Sequence, residues 1–400
     1  MEKRILTASE KAALDTGFAA VFGGAPERYF SAPGRTELSG NHTDHQHGRV
    51  LAGAVNLDML AAVRVTGTNT VRILSKGYPM TVIDLNRLIP VPEEINSTPS
   101  LVRGVAARFV QLGCNVTGFD AYMESTVLPG SGLSSSAAFE VLIGTIINCL
   151  FFDGKVSQPE IAMIGQYAEN VFFGKPCGLM DQMASAVGGM VTIDFADKDN
   201  PEIQPVEFDF AACGHALCII DTRASHADLT DEYAAITQEL KAVCDYFGKA
   251  VLRQMDPAAF YRAIPVLREK CGDRAVLRAI HFYEENARVP QQVAALQQGD
   301  FAAYLRLMRQ SGDSSYMQLQ NVIPTGYTAH QDVAIALALC KHYLGDRGGY
   351  RVHGGGFAGT VQAFVPFDLL DAFRTGIDSV LGDGACHVLA IRPQGGVEAQ

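Results

Sequence analysis

Leu128-Pro129-Gly130-Ser131-Gly132-Leu133-Ser134-Ser135-Ser136-Ala137-Ala138 lies between a strand pattern and a helix pattern. Before it, Phe119, Ala121, Met123 and Val127 alternate with Asp120, Tyr122, Glu124 and Thr126, the period of two of a half-buried strand. After it, residues 135–149 are apolar on nearly every side, as in a helix enclosed by the core. Gly130 and Gly132 carry no Cβ, so a ligand can come close to the backbone. The first N–H groups of the following helix lack internal partners and carry partial positive charge. Strand, glycine turn and helix start together make an anion site, most often for phosphate. The hydroxyls of Ser134, Ser135 and Ser136 add donors and a ligand type suited to Mg²⁺. The plainer reading is a turn with a serine N-cap, but every position of the string fits the anion geometry. No Gly-Lys-Ser/Thr occurs in the chain, so this is not a Walker loop.

Working outward, 400 residues suggest two or three domains. With 48% apolar and 19% charged residues, the composition fits a compact enzyme rather than a disordered scaffold. A net charge of −11 argues against a nucleic-acid or anionic-membrane surface. The nine cysteines are scattered, with no CxxC pair, and residues 1–20 read as a mixed-charge helix without an apolar core. The expectation is no signal peptide, free thiols in the cytoplasm, and a monomer. No apolar run is long enough to span a bilayer.

Upstream, residues 8–22 read as an amphipathic helix capped by Ser9, and residues 29–32 and 50–65 as strands. Between those strands, residues 33–48 form a glycine-bounded polar loop containing Arg35, Glu37, Asn41, His42, Asp44, His45 and His47. By type, the histidines and Asp44 suit a metal, but no nearby cluster completes such a site. The same groups suit a polyol, whose neighbouring hydroxyls they can hydrogen-bond, with Arg35 facing a phosphate.

Downstream, Ser157-Gln158-Pro159-Glu160 is a capping box that opens a helix to about Phe173. Glu169 near its C-terminal end opposes the dipole, which hints at a cation partner; solvent exposure is the simpler account. Asp181 stands alone among Leu179, Met180, Met183 and Ala184, either as an N-terminal helix group or as a site base. Residues 190–195 read as a strand, the polar residues 197–205 as a domain boundary, 215–221 as a strand and 229–247 as a helix. Further helices run to Tyr343, with turns at Asp256-Pro257, Val289-Pro290 and Gly299-Asp300. Gly354, Gly356 and Gly359 match GxGxxG, but too little chain follows for a dinucleotide domain. Ala358 in that stretch calls for a negative φ or tolerates mild strain. Residues 367–380 read as a final helix and 387–391 as a final strand.

The serine-glycine string resembles the central phosphate loop of the GHMP kinases, and the loop at 33–48 resembles the signature of the galactokinase family. Gly34, Arg35, Gly40, His42, Thr43, Asp44 and Gly48 are kept; Glu37, Asn41 and His45 stand where that family has Asn, Glu and Tyr. Ala168-Glu169 and Cys177-Gly178-Leu179-Met180-Asp181-Gln182 reproduce a second family pattern with its spacing, and residues 350–360 resemble a third.

The resemblance implies an α+β, two-domain GHMP kinase fold: a ribosomal-protein-S5-like domain over 1–205 and a ferredoxin-like α/β domain over 206–400. It implies ATP-dependent phosphorylation of galactose at O1. Asp181 and Arg35 are then catalytic. Asn41, His42, Asp44, Gly178 and Tyr233 contact the sugar. Gly130, Ser131, Gly132, Leu133, Ser134, Ser135 and Ser136 hold ATP, and Ser136 and Glu169 hold Mg²⁺. Other readings are a GHMP kinase for another sugar, such as N-acetylgalactosamine, and a non-catalytic galactose sensor. The sensor is disfavoured by the intact Arg35, Ser136 and Asp181.

Overall fold

Residues 30–39 and most of 49–65 are buried on both faces, whereas residues 70–75 and 81–84 alternate between core and solvent. The computed structural model describes residues 4–127, 132–175, 177–224 and 229–400. The first sheet contains β1 (Arg28–Ser39), β2 (Arg49–Val65), β3 (Thr70–Ser75), β4 (Thr81–Asp84), β5 (Phe119–Ser125), β6 (Met190–Asp194) and β7 (Glu202–Pro205). The second contains β8 (His215–Asp221), β9 (Gly349–His353), β10 (Thr360–Pro366) and β11 (Cys386–Leu389), in the antiparallel order β11-β8-β10-β9. The chain then returns to the first sheet: β12 (Val397–Ala399) pairs with β1, a strand the sequence did not announce. The first sheet runs β12-β1-β2-β5-β3-β4, with β6 on β2 and β7 on β6; β3 and β5 are parallel and the other pairs antiparallel.

The helices are α1 (Ala8–Phe22), α2 (Thr98–Gln111), α3 (Ser135–Phe151), α4 (Gln158–Tyr167), α5 (Met180–Val187), α6 (Thr230–Tyr246), α7 (Pro257–Cys271), α8 (Asp273–Gln297), α9 (Phe301–Ser314), α10 (Asp332–Leu344) and α11 (Leu370–Leu381). Helix α3 is buried along most of its length, from Ala137 to Asn148, as its all-round apolar pattern requires. The Ser157–Glu160 capping box forms as read.

Four local readings are corrected. The strand read at 29–32 runs on to Ser39, so the first half of the polar stretch 33–48 is strand and the loop begins at Gly40. Helix α1 is capped by Thr7, not Ser9, in a reciprocal box with Glu10 that satisfies two backbone donors at once. The turn at Val289-Pro290 is absent: Pro290 sits inside α8, where buried Val289, Val293 and Leu296 hold the helix through the proline. The polar stretch 197–205 is not all linker, because its end, β7, extends the first sheet.

One hydrophobic cluster joins the two sheets. Leu38 and Leu51 of the first meet Leu217, Ile219 and Phe364 of the second, with Leu133, Tyr304 and Met308 between them. The site lies beside this junction. There β1 carries register shifts between Pro33 and Arg35 and between Glu37 and Ser39, irregularities of the kind that re-aim side chains beside functional sites.

Candidate active site

Arg35 leaves β1 at the first of these irregularities. Its Nε donates to Asp181 Oδ1 at 2.7 Å, its Nη1 donates to the Gly132 carbonyl, and its backbone N–H donates to the Leu133 carbonyl at 3.0 Å. Ser134 Oγ donates to Asp181 Oδ2. Thus the loop end, β1 and the first turn of α5 converge on one carboxylate. That carboxylate remains 35% exposed, while the Arg35 side chain is buried. Burial pushes the Asp181 carboxyl up, but the Arg35 guanidinium outweighs it, helped by Ser134 and Lys175, and holds it below its ordinary value. Asp181 is therefore ionised at neutral pH, as a proton acceptor must be.

Ser134 is the N-cap residue of α3, accepting from Ala138 N–H through its carbonyl, yet its side chain makes no capping bond. Gly132, at φ +68°, approaches the third motif: a Cβ there would lie 3.2 Å from His353 Nδ1 and 3.1 Å from Thr360 Oγ1. Ser135 is half-buried and Ser136 exposed at the helix start, and Leu133 is buried. Gly130 and Ser131, also expected to hold ATP, lie outside the described residues.

The polar loop lies beside this centre. His42 adopts a left-handed φ of 57° and its Nε2 donates to the Gly355 carbonyl at 3.0 Å. Burial, against the pull of Gly355, lowers its pKa to about 4, so the ring is neutral and Nδ1 is the nitrogen left to accept. Asp44 takes the His45 N–H at 2.9 Å on Oδ1. Its Oδ2 occupies the space a Cβ on Gly178 would need, only 1.8 Å away. The Tyr233 hydroxyl donates to the Gly356 carbonyl at 2.8 Å, and its ring meets Phe357 edge-on. Among the non-glycine residues of the third motif, Phe357 and not Ala358 has a positive φ, 59°.

Asn41 is placed differently from the expectation of a sugar contact. It is fully buried, and both ends of its amide are used by the protein. Its Nδ2 donates to Glu37 Oε1 at 3.0 Å and to the Gly354 carbonyl at 2.7 Å; its Oδ1 accepts from Ser315 at 3.2 Å and Asn321 at 3.0 Å. Glu37 in turn pairs with Arg351 at 2.8 Å. Glu285 receives the Gly40 N–H at 3.1 Å and the Ser311 hydroxyl at 2.7 Å, and pairs with Arg288. Glu37 and Asn41, two of the three residues that depart from the family signature, thus form an internal brace behind the loop.

Glu169 is not solvent-exposed, as its unfavourable helix position had suggested; it is 4% exposed. Gln182 Nε2 donates at 2.9 Å to Glu169 Oε2 and at 2.9 Å to Oε2 of Glu140, a residue 1% exposed. Lys175 Nζ stands 3.4 Å from Glu169 Oε1. Burial, then the nearby Glu169, pushes the Glu140 carboxyl well up. The other oxygen of Glu140 is buried without a hydrogen-bond partner. Ser136 lies one turn before Glu140 on the same face of α3. The Ser136 hydroxyl and the Glu169 carboxylate, the latter facing Lys175, are oxygen donors of the type Mg²⁺ takes. The described residues show no cluster of three His, Cys, Asp or Glu able to cage a metal.

Glu140, Gln182 and Lys175 were missed in the sequence. Glu140 left one signal, a lone acid in the middle of an otherwise apolar helix. Gln182 ended the second family pattern without a role assigned to it, and Lys175 left no signal.

The two-sheet fold, with the Arg35–Asp181 pair beside the start of α3, is that of a kinase of the GHMP class, as the comparisons show. The family described as "GHMP kinases N terminal domain" matches residues 100–189, and "Galactokinase galactose-binding signature" matches residues 16–65. The chain is 33% identical to a galactokinase of Glaesserella parasuis over 90% of each chain, and 34% identical to one of Actinobacillus pleuropneumoniae over 86% of each. The solved structure of Lactococcus lactis galactokinase complexed with galactose superposes with a TM-score of 0.81 at 25% identity, covering 97% of this chain and 99% of that one. The chain belongs to the galactokinase family. Its activity is that of a sugar kinase, a phosphotransferase from ATP to an alcohol acceptor, and the function carried is galactokinase.

Proposed function

We propose that the acceptor is O1 of α-D-galactose and that Asp181 takes its proton. The observation that carries this is the carboxylate itself: ionised, partly open to solvent, and held on Oδ1 by a buried arginine. Phosphoryl transfer asks the protein mainly to position reactants and offset charge. Arg35 orients Asp181 and stabilises charge building on the transferring group. His42 Nδ1 and Asp44 accept hydrogen bonds from sugar hydroxyls, with Gly178 keeping the space beside Asp44 clear and Tyr233 closing the far side. We read Asn41 as bracing this loop rather than touching the sugar. The helix start with Gly132 to Ser136, preceded by Gly130 and Ser131, cradles the ATP phosphates. Ser136 and Glu169 would hold Mg²⁺, which when bound offsets phosphate charge. A site of such fixed polar groups rejects epimers, because a misplaced hydroxyl leaves buried partners unpaired.

We divide the chain at 205/206 for this function, with β12 returning to the first unit, and read it as a cytoplasmic monomer that binds no nucleic acid. The nine unpaired cysteines and the net charge of −11 support compartment and partners. None of the helices searched among the described residues is long and apolar enough to cross a membrane.

The test is Asp181→Asn, with single-turnover phosphorylation and galactose binding measured separately. The expected loss in turnover is on the order of 10²–10⁴ with galactose still bound. Near-normal turnover removes the base assignment. A panel of free sugars with Mg-ATP checks the acceptor.

A further inference from the structure

We propose that the single hydroxyl proton of Ser134 is claimed in turn by Asp181 and by the nucleotide, and that this makes sugar and nucleotide binding mutually reinforcing. The inference rests on the reading that ATP phosphates meet the start of α3 and that Asp181 faces the sugar.

A serine at an N-cap ordinarily turns its oxygen back to the first N–H groups of its helix. Ser134 does not. Its backbone is in the left-handed region, φ 55° and ψ 62°, and its Oγ points to Asp181 Oδ2. The other carboxylate oxygen already receives Arg35 Nε at 2.7 Å, and Arg35 also holds the carbonyls of Gly132 and Leu133. Without ligands, Ser134, Asp181, Arg35 and the loop end therefore form a closed ring. The uncapped N–H groups of α3 stay available for an anion.

A hydroxyl has one proton to give. A phosphate oxygen at the helix start is a second acceptor for it, and taking it frees Asp181 Oδ2. A sugar hydroxyl that donates to Oδ2 displaces Ser134 from the other side and frees its proton for phosphate. Each ligand thereby removes the contact that obstructs the other, and the coupling must be reciprocal.

The test compares wild type, Ser134→Ala and Ser134→Gly by isothermal titration of galactose, with and without saturating Mg²⁺ and the non-hydrolysable analogue AMPPNP. Glycine favours φ near +55°, so that variant keeps the backbone if alanine does not. In wild type the galactose Kd is expected to fall about fivefold or more when the analogue is present. In both variants the ratio is expected to fall to about one, because the variants bind galactose more tightly than wild type in the absence of nucleotide. The proposal is overturned by an equal ratio in wild type and variants, by a ratio of one in wild type, or by a ratio of one reached through weakened ternary binding alone. Failure of wild type to bind galactose or AMPPNP at all would overturn the underlying site reading instead, so the two failures are distinct.

Discussion

Gly178→Ala probes the sugar side of the site with little cost to the fold. A methyl at 178 would stand 1.8 Å from Asp44 Oδ2 and 2.8 Å from its Cγ. Real Cβ contacts essentially never fall below 3.0 Å, so that oxygen must retreat by at least about 1.2 Å. The obstacle is the far end of a side chain, not backbone, and Gly178 does not occupy the left-handed region. The carboxylate swings away and the chain keeps its shape, so melting should shift little. The sugar, however, loses a hydrogen bond to a charged acceptor, worth about 1.5–3 kcal/mol. That corresponds to a rise in galactose KM of roughly 10- to 150-fold. The KM for ATP should stay near wild type and kcat should change less than KM, since the lost contact serves ground and transition states alike. The assay is steady-state ADP release at varied galactose, with thermal melting as the control for folding. A galactose KM within about twofold of wild type, with melting unchanged, would refute both the clash and the sugar contact of Asp44.

Three further outcomes follow from the brace and the carboxylate pair. Glu169→Gln removes the charge facing Lys175 and should raise the Mg²⁺ concentration needed for half-maximal activity by about tenfold or more, read from an Mg²⁺ titration at fixed ATP; an unchanged titration removes Glu169 from the metal site. Glu285 is buried, which raises its pKa, but Arg288, His281 and Arg351 outweigh burial and lower it to about 2. A carboxyl depressed on folding contributes stability above its unfolded pKa and loses it as pH falls through the folded one, here from about pH 5 toward 2. The contribution is roughly 3 kcal/mol at neutral pH, so Glu285→Gln should melt lower at pH 7 and show a flatter decline than wild type between pH 5 and 3. Asn41→Glu, which restores the family's residue type, should put a second buried carboxylate beside Glu37 and destabilise the fold by about 3 kcal/mol or more, seen in denaturant unfolding; a variant of wild-type stability with altered sugar preference would return Asn41 to the sugar site.

The contrast between Asp181 and Asn41 shows where sequence reading stops. Asp181 was legible because it is one acid in an apolar helix start. Only a charged partner makes such a placement tolerable, and Arg35 supplies it at 2.7 Å. The strands and α3 were legible for the same kind of reason: hydrophobic period records which face is buried. Pro290 and β12 were not, because packing of Val289 and Val293, and pairing of Val397 with Ser31, are decided by residues far away in the chain. Asn41 and Glu37 were legible as polar residues of a site stretch, but their partners within the protein were not. An amide or carboxylate looks the same in sequence whether its partners are a ligand's hydroxyls or Ser315, Asn321 and Arg351. Glu169 makes the point in reverse: local rules favoured exposure, yet Gln182 and Lys175 give the buried carboxylate partners that its own helix does not supply. Exchange of Asn and Glu between positions 37 and 41 is therefore best understood as one coupled change. Arg351, fully buried, requires a carboxylate, and Glu37 supplies it. Position 41 then does best with an amide, which donates to that same carboxylate and accepts from the opposite side.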